Sequence, residues 1–199
     1  MIAFADTAAG IPIYRLKFTL KGSNPKIWRR FLVRADMKLP RFHDAIQIVM
    51  GWTDSHLHQF VIKSGKDRVY IGIPDPDAPA AFQRELNEKK FRVSDLLSTP
   101  KQKIEYEYDF GDGWEYEILL EKILPPDSSF KHPHCLAGAN ACPPEDCGGI
   151  WGYYDPFLKA LNDPKHEAHE MYKEWIGGSW DPTLFDLDEI NGLLKRIKA

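Results

Sequence analysis

The sequence predicts a single α+β domain: a mixed, largely antiparallel β-sheet built of hairpins, with helices packed on it and a helical C-terminal region. Three observations lead there. Short segments at 13–20, 27–33, 57–63, 68–73, 103–110 and 114–123 are apolar or alternate between apolar and polar, and turn residues bound them, which is the pattern of paired strands. Helical spacing is confined to 41–50 and to the stretch after residue 155. A length of 199 residues with 43% hydrophobic, 28% charged and 13% aromatic content suits one packed core. Residues 1–11 read as a flexible N-terminus and 12–199 as the domain.

Taken in order, IYRLKFTL (13–20) and IWRRFLV (27–33) flank a Gly-Ser-Asn-Pro turn and form a first hairpin. From Tyr14 to Ala35 there are seven basic residues and no acidic one. Phe42, Ile46, Val49 and Met50 predict an amphipathic helix over 41–50 that Gly51 stops, with His43, Asp44 and Gln47 on its polar side. LHQFVIK (57–63) and RVYIGI (68–73) predict two more strands, Pro74, Pro76 and Pro79 break the chain, and AAFQRELNE (80–88) reads as a short helix or an exposed loop.

KIEYEYDF (103–110) and WEYEILLEKI (114–123) form the clearest hairpin. A three-residue Gly-Asp-Gly turn sets Phe110 opposite Trp114, Tyr108 opposite Tyr116 and Tyr106 opposite Ile118, so the apolar side chains share one face, and it puts Gly113 in a left-handed bulge conformation. The same register opposes Asp109 to Glu115 and Glu107 to Glu117. Like charges facing each other need a compensating cation, which Arg15, Lys17 or Arg29 of a neighbouring basic hairpin would supply. The segment 125–149 has no period and reads as a structured loop holding His132, His134 and the three cysteines. Helices follow at 155–162 and 165–176, and a last one starts at Asp186 with Glu189 as a capping box and a stripe of Ile190, Leu193, Leu194 and Ile197.

Lys and Arg number 26 against 29 Asp and Glu, a net charge of -3, so no global positive field attracts a polyanion. Nucleic acid is disfavoured as a partner, though the basic hairpin with Trp28 suits a single strand. No segment reads as a signal peptide or a membrane span. Three cysteines without an export signal point to reduced thiols in the cytoplasm. There is no G-x-S-x-G elbow, Walker loop or dinucleotide fingerprint, and HEAHE (166–170) misplaces the second histidine of the zinc-protease motif. Trp52, Trp114, Trp151, Trp175 and Trp180 read as core residues.

Two constellations carry chemistry. His56-x-His58 places two imidazoles on one side of a strand, and with Cys135, Cys142 and Cys147 it forms a candidate ligand set for zinc or another divalent metal, although Cys-x6-Cys-x4-Cys matches no standard zinc spacing. Asp109, Asp112, Trp114, Glu145 and Asp146 form the second, an acidic, aromatic-rimmed loop surface for a basic peptide or protein partner.

In order, Pro25 with IWRRFLV, HDAIQIVMGW, SHLHQF, YDFGDGWEYE, CPPEDCGGIWGYY and WIGGSWDPTLFD resemble the plasmid pRiA4b ORF-3-like family over about residues 12–196. The resemblance implies one α+β domain with a mixed sheet and no established activity. Its characteristic polar positions fall on His56, His58, Asp109, Asp112, Glu145, Asp146 and Cys147, while Trp180 and Tyr116 depart from the Phe and His common in relatives. The preferred expectation is a non-catalytic binding module; the alternatives are a metal-dependent enzyme using the His and Cys cluster, and a nucleic-acid-binding protein.

Overall fold

The computed structural model describes residues 10–75, 77 and 85–198, so the expectation of a flexible N-terminus and most of the AAFQRELNE segment lie outside the described residues. Eight strands form one sheet in the order β5-β4-β3-β6-β7-β1-β2-β8. They are β1 (Ile13–Leu20), β2 (Trp28–Arg34), β3 (His58–Ser64), β4 (Asp67–Gly72), β5 (Glu85–Asn87), β6 (Lys103–Tyr108), β7 (Trp114–Leu124) and β8 (His134–Ala139). All neighbours are antiparallel except β4 and β5. The helices are α1 (Leu39–Met50), the short α2 (Val93–Leu96), α3 (Gly149–Gly152) and α4 (Lys159–Asn162), then α5 (His169–Trp175) and α6 (Leu187–Leu194).

Alternation gives the sheet one apolar face. Leu16, Phe18, Phe31, Phe60, Tyr106, Tyr116 and Ile118 are buried there, and α1 packs against them through Phe42, Ile46 and Val49. Pro40 sits in the first turn of α1, where its missing N–H costs nothing, and Gly51 ends the helix with a left-handed φ of 83°. At the far end of the sheet α6 lies beside α1 and β8, and Asp186 caps it by accepting the Glu189 amide at 2.9 Å. The side-chain amide of Asn191 meets β8, accepting the Cys135 N–H at 2.8 Å and donating to the Cys135 carbonyl at 3.0 Å.

The strand β8 arises where the sequence shows only an aperiodic loop; HCLAGA has neither alternation nor β-branched residues, and its place is fixed by pairing with β2. The β6–β7 register also differs from expectation. Tyr108 opposes Trp114, Tyr106 opposes Tyr116 and Ile104 opposes Ile118, so the connection has five residues, 109–113. Asp109 makes this loop: it adopts a φ of 54°, its Oδ1 accepts the amides of Gly111 and Asp112, and its carbonyl accepts that of Gly113. Phe110 is left 53% exposed. The slip is even, so no side chain changes face. Gly113 is left-handed, as expected, at φ 66°.

Like charges do face each other, at Glu107–Glu115 and Glu105–Glu117, and β1 lies beside β7. The compensating cations differ from those expected. Lys21 bonds Glu105 and Glu115, Lys63 pairs with Glu105, and Lys103 with Glu117. Arg15 and Arg30 converge instead on Glu121, Lys17 sits over the Trp28 ring, and Arg29 points into the core side. His43 and Gln47, expected on a polar face, are buried. Trp52 and Trp114 are core residues, but Trp151 is 85% exposed and Trp175 is also exposed. No helix among the described residues is long and apolar enough to cross a membrane.

Candidate functional site

Three loops meet at one end of the sheet: 52–57 after α1, 109–113 between β6 and β7, and 143–149 before α3. Their union is written in hydrogen bonds. The Trp52 indole donates to the Pro143 carbonyl at 2.9 Å, and Glu145 accepts from the Thr53 amide at 3.2 Å, from the Thr53 hydroxyl and from the Tyr108 hydroxyl. Tyr108 in turn accepts the Ser55 amide at 3.0 Å. Burial first, and then the Glu145 carboxylate, push the Tyr108 hydroxyl well above its ordinary range, so it stays a proton donor. Asp112 accepts the Gly148 amide at 3.1 Å. Gly149 lies so close that a Cβ there would stand 2.2 Å from the Asp112 carbonyl oxygen.

Within this junction His56, Asp109 and Asp146 bring one ligand atom each to within 4.8 Å of the others. His56 Nε2 lies 3.2 Å from Asp146 Oδ1 and 3.7 Å from Asp109 Oδ2, yet it is buried and makes no hydrogen bond. Two ligands at about 2.1 Å from one tetrahedral ion are about 3.4 Å apart, a spacing these two distances bracket. Asp109 is itself buried, and its Oδ1 is fixed by the loop amides, which leaves Oδ2 to face His56. Asp109 and Asp146 both hold left-handed backbone, with φ of 54° and 61°, as does Asp54 at 59°. Such conformations cost on the order of 1 kcal/mol in an L-residue and collect at functional sites.

A second cluster, His43, Asp54 and His58, lies beneath the same loop, and its geometry differs. Gln47 Nε2 donates to the Tyr106 hydroxyl at 3.1 Å, so the tyrosine proton goes to His43 Nδ1 at 2.8 Å, and His43 Nε2–H donates to Asp54 at 2.7 Å. The Asp54 amide returns to Gln47 Oε1 at 3.0 Å. His58 bonds Glu88 at 2.8 Å, with both side chains buried. A separation of 2.7 Å is a hydrogen bond and not the edge between two ligands of one ion. Each group has its partner, so this is a structural network that ties the loop to α1 and β6.

The sequence-derived metal set is therefore divided. His56 and His58 reach different carboxylates, and neither ligand group among the described residues includes a cysteine. Cys135 is buried against the carbonyls of Arg30 and Ala137, and Cys142 against the Tyr116 hydroxyl. Burial pushes the Cys142 and Cys147 thiols up to about 12, which disfavours the thiolate in the metal-free protein. Of the acidic surface, Asp109 and Asp146 enter the His56 cluster, Asp112 and Glu145 are turned inward to hold the loops, and Trp114 is buried beneath them. His43, Gln47, Asp54, Glu88, Tyr106 and Tyr108 carry no site motif in the sequence; the one signal is the i, i+4 spacing of His43 and Gln47 on a helix.

A family model for the plasmid pRiA4b ORF-3-like protein matches residues 12–189. The chain belongs to the plasmid pRiA4b ORF-3-like family. It is 37% identical over 191 residues to the uncharacterized protein y4hQ of Sinorhizobium fredii (strain NBRC 101917 / NGR234), covering 94% of this chain and 93% of that protein. The crystal structure of protein of unknown function MM3350 from Methanosarcina mazei Go1 is similar, with a TM-score of 0.78 and 38% identity over 90% of this chain and 98% of that one. The α+β fold of this pRiA4b ORF-3-like chain is thus shared with that solved structure, and the two relatives are described as uncharacterized and of unknown function.

Proposed function

We propose that this pRiA4b ORF-3-like protein is a binding module organised around a divalent cation held by His56, Asp109 and Asp146. One observation carries the reading: a buried imidazole nitrogen without a hydrogen-bond partner faces two carboxylate oxygens at ligand-to-ligand spacing. One nitrogen and two oxygen donors suit zinc or manganese. Three protein ligands leave coordination positions open, unlike a closed four-ligand structural site. The two carboxylates balance a dication, so the open positions suit an oxygen donor of a partner better than the basic peptide that the bare carboxylates suggest.

Binding is favoured over hydrolysis because the nearby carboxylates that would serve as a general base are engaged. Glu145 accepts from Tyr108 and Thr53, Asp112 from Gly148, and Asp54 from His43. The test is metal per chain and thermal shift on chelator-stripped, untagged protein given zinc or manganese. About one ion per chain is expected, with His56→Ala and Asp109→Asn losing more than the roughly 10–100-fold of an outer-sphere change and Cys147→Ala unchanged. Absence of binding, or binding that survives His56→Ala and fails in Cys147→Ala, would overturn it.

A further inference from the structure

Just past the third loop, α3 carries Trp151, which at 85% is the most exposed large apolar side chain among the described residues. With Ile150, Tyr154, Gly22 and Asn24 it walls a cavity of about 390 Å³. Tyr154 also lines a second cavity of about 420 Å³, whose wall continues through Leu158 and Asn162, so the two share one aromatic ring and form a groove beside the β1–β2 turn. The walls are held from beneath. A Cβ on the left-handed Gly22 would stand 3.2 Å from Ile150 Cγ1, and Ser23 fixes the turn by donating to the Leu20 carbonyl at 2.7 Å and accepting the Ile27 amide at 3.1 Å. Tyr154 meets the buried Tyr153 edge to face at 5.0 Å, and Tyr153 stacks on buried Phe157. Aromatic walls fixed before binding lose little entropy when a partner arrives.

The chemistry of the groove restricts what fills it. No charged side chain lines the Trp151 cavity, so an ionic group entering it would lose water without gaining a counter-charge. The polar demand is one-sided. The Asn24 amide donates to the Tyr154 hydroxyl at 2.7 Å, and the proton of that hydroxyl has no acceptor among the described residues. The complement is a neutral chain with apolar rings and free carbonyl oxygens. A prolyl segment is such a chain: its ring is apolar, its nitrogen carries no proton, and in the polyproline II conformation its carbonyls make no internal hydrogen bonds. Its stiffness lowers the cost of ordering it, and aromatic-lined grooves recognise such segments on unrelated folds. A neutral sugar, rich in hydroxyl donors, matches the demand less well.

We propose that the groove along Trp151 and Tyr154 docks a proline-rich segment of a partner protein in the polyproline II conformation. It needs no ion, so it stands or falls independently of the His56 cluster. The experiment titrates a capped decaproline peptide into the full chain by calorimetry, with a capped Gly-Ser repeat of equal length and cellotriose as comparisons. Saturable binding of decaproline, and of neither comparison, is expected. Trp151→Ala changes a side chain too exposed to hold the fold, and it is expected to abolish binding with the melting temperature unchanged. Tyr154→Phe, which keeps the ring and removes the donor, is expected to weaken binding roughly 2–10-fold, as the loss of one neutral hydrogen bond does. Should Tyr154→Phe lower the melting temperature, Trp151→Ala decides alone. No saturable binding of decaproline, equal binding of the Gly-Ser repeat, tighter binding of cellotriose, or an unchanged affinity in Trp151→Ala overturns the proposal. So does sedimentation that shows Trp151-dependent self-association, which would make the occupant a second copy of the chain.

Discussion

His43 and His58 lie face to face with ring centroids 3.5 Å apart and planes within 7°, each backed by its own carboxylate. Two imidazoles stacked this closely cannot both carry a proton cheaply, and the hydrogen-bond order through Gln47, Tyr106 and Asp54 makes His43 the neutral one. Burial, and then the neighbouring His58, hold His43 below its ordinary value of 6.5, with Asp54 and Glu88 opposing.

The consequence for acid stability follows from that depression. Below pH 6.5 the unfolded chain takes up a proton at this position that the folded chain refuses, so stability falls as the pH drops from 6.5 towards the lower folded value. The slope contributed is at most about 1.4 kcal/mol per pH unit. Denaturant melts of wild type and His43→Gln between pH 7.5 and 5 should show the variant less stable at pH 7.5 and the gap narrowing on acidification. A gap that widens would show His43 to be charged in the fold.

Tyr108→Phe removes the hydroxyl that receives the Ser55 amide and serves Glu145. Leaving these groups short of a partner costs about 1–3 kcal/mol, roughly 2–4 °C per kcal/mol in a domain of this size. Because Tyr108 links loop 52–57 to the loop that carries Asp146, the same variant should lower metal affinity, measurable in the ion titration.

Gly149→Ala and Gly113→Ala separate backbone strain from loop contact. Both positions are left-handed, at φ 68° and 66°, but a Cβ at Gly113 meets open space and one at Gly149 meets the Asp112 backbone. Gly113→Ala should cost about 1–2 kcal/mol. Gly149→Ala should cost clearly more and should also weaken ion binding, since it pushes the 109–113 and 143–149 loops apart. Equal melting temperatures for the two variants would contradict this.

On the open sheet face, Glu121 accepts two bonds from Arg30, at 2.7 and 2.8 Å, and pairs with Arg15 at 2.9 Å. Hydrogen bonding from Arg30 and the charges of both arginines hold its carboxyl below the usual glutamate value. Its contribution is present above pH 4.5 and lost as the pH falls through the depressed folded value. Both arginines are about a third exposed, so Glu121→Gln should cost about 1 kcal/mol near neutral pH, with the difference from wild type vanishing in acid and shrinking in high salt.

What the sequence made legible is what short-range pattern encodes. Alternation gave five of the strands in full outline and the face of each, Gly51 the end of α1, and Asp186 with Glu189 the start of α6. The loops bearing YDFGD and PPEDCGG stood out as polar where packing needed nothing. The rest depends on pairings across the fold. His43 and Gln47 look solvent-facing until Tyr106 and Asp54 are placed beside them, and His58 looks like a free ligand until Glu88, thirty residues on, is hydrogen-bonded to it. The β6–β7 register misled because Phe110 reads as a strand residue, whereas the Asp109 carboxylate captures the loop amides and turns it outward. The cysteines are suggestive by residue type alone, and among the described residues none of them joins a ligand group.

The paired hydrogen bonds between Asn191 and Cys135 give the sheet a boundary. A primary amide presents one donor and one acceptor at nearly the spacing of a peptide unit, so this side chain acts as a one-residue ninth strand contributed by a helix. A second chain arriving at β8 finds part of the ladder already taken. At the opposite margin β5 spans three of the described residues. The Asn191 clasp thus shortens the free edge that β8 would otherwise offer to the edge-to-edge growth that open sheets invite.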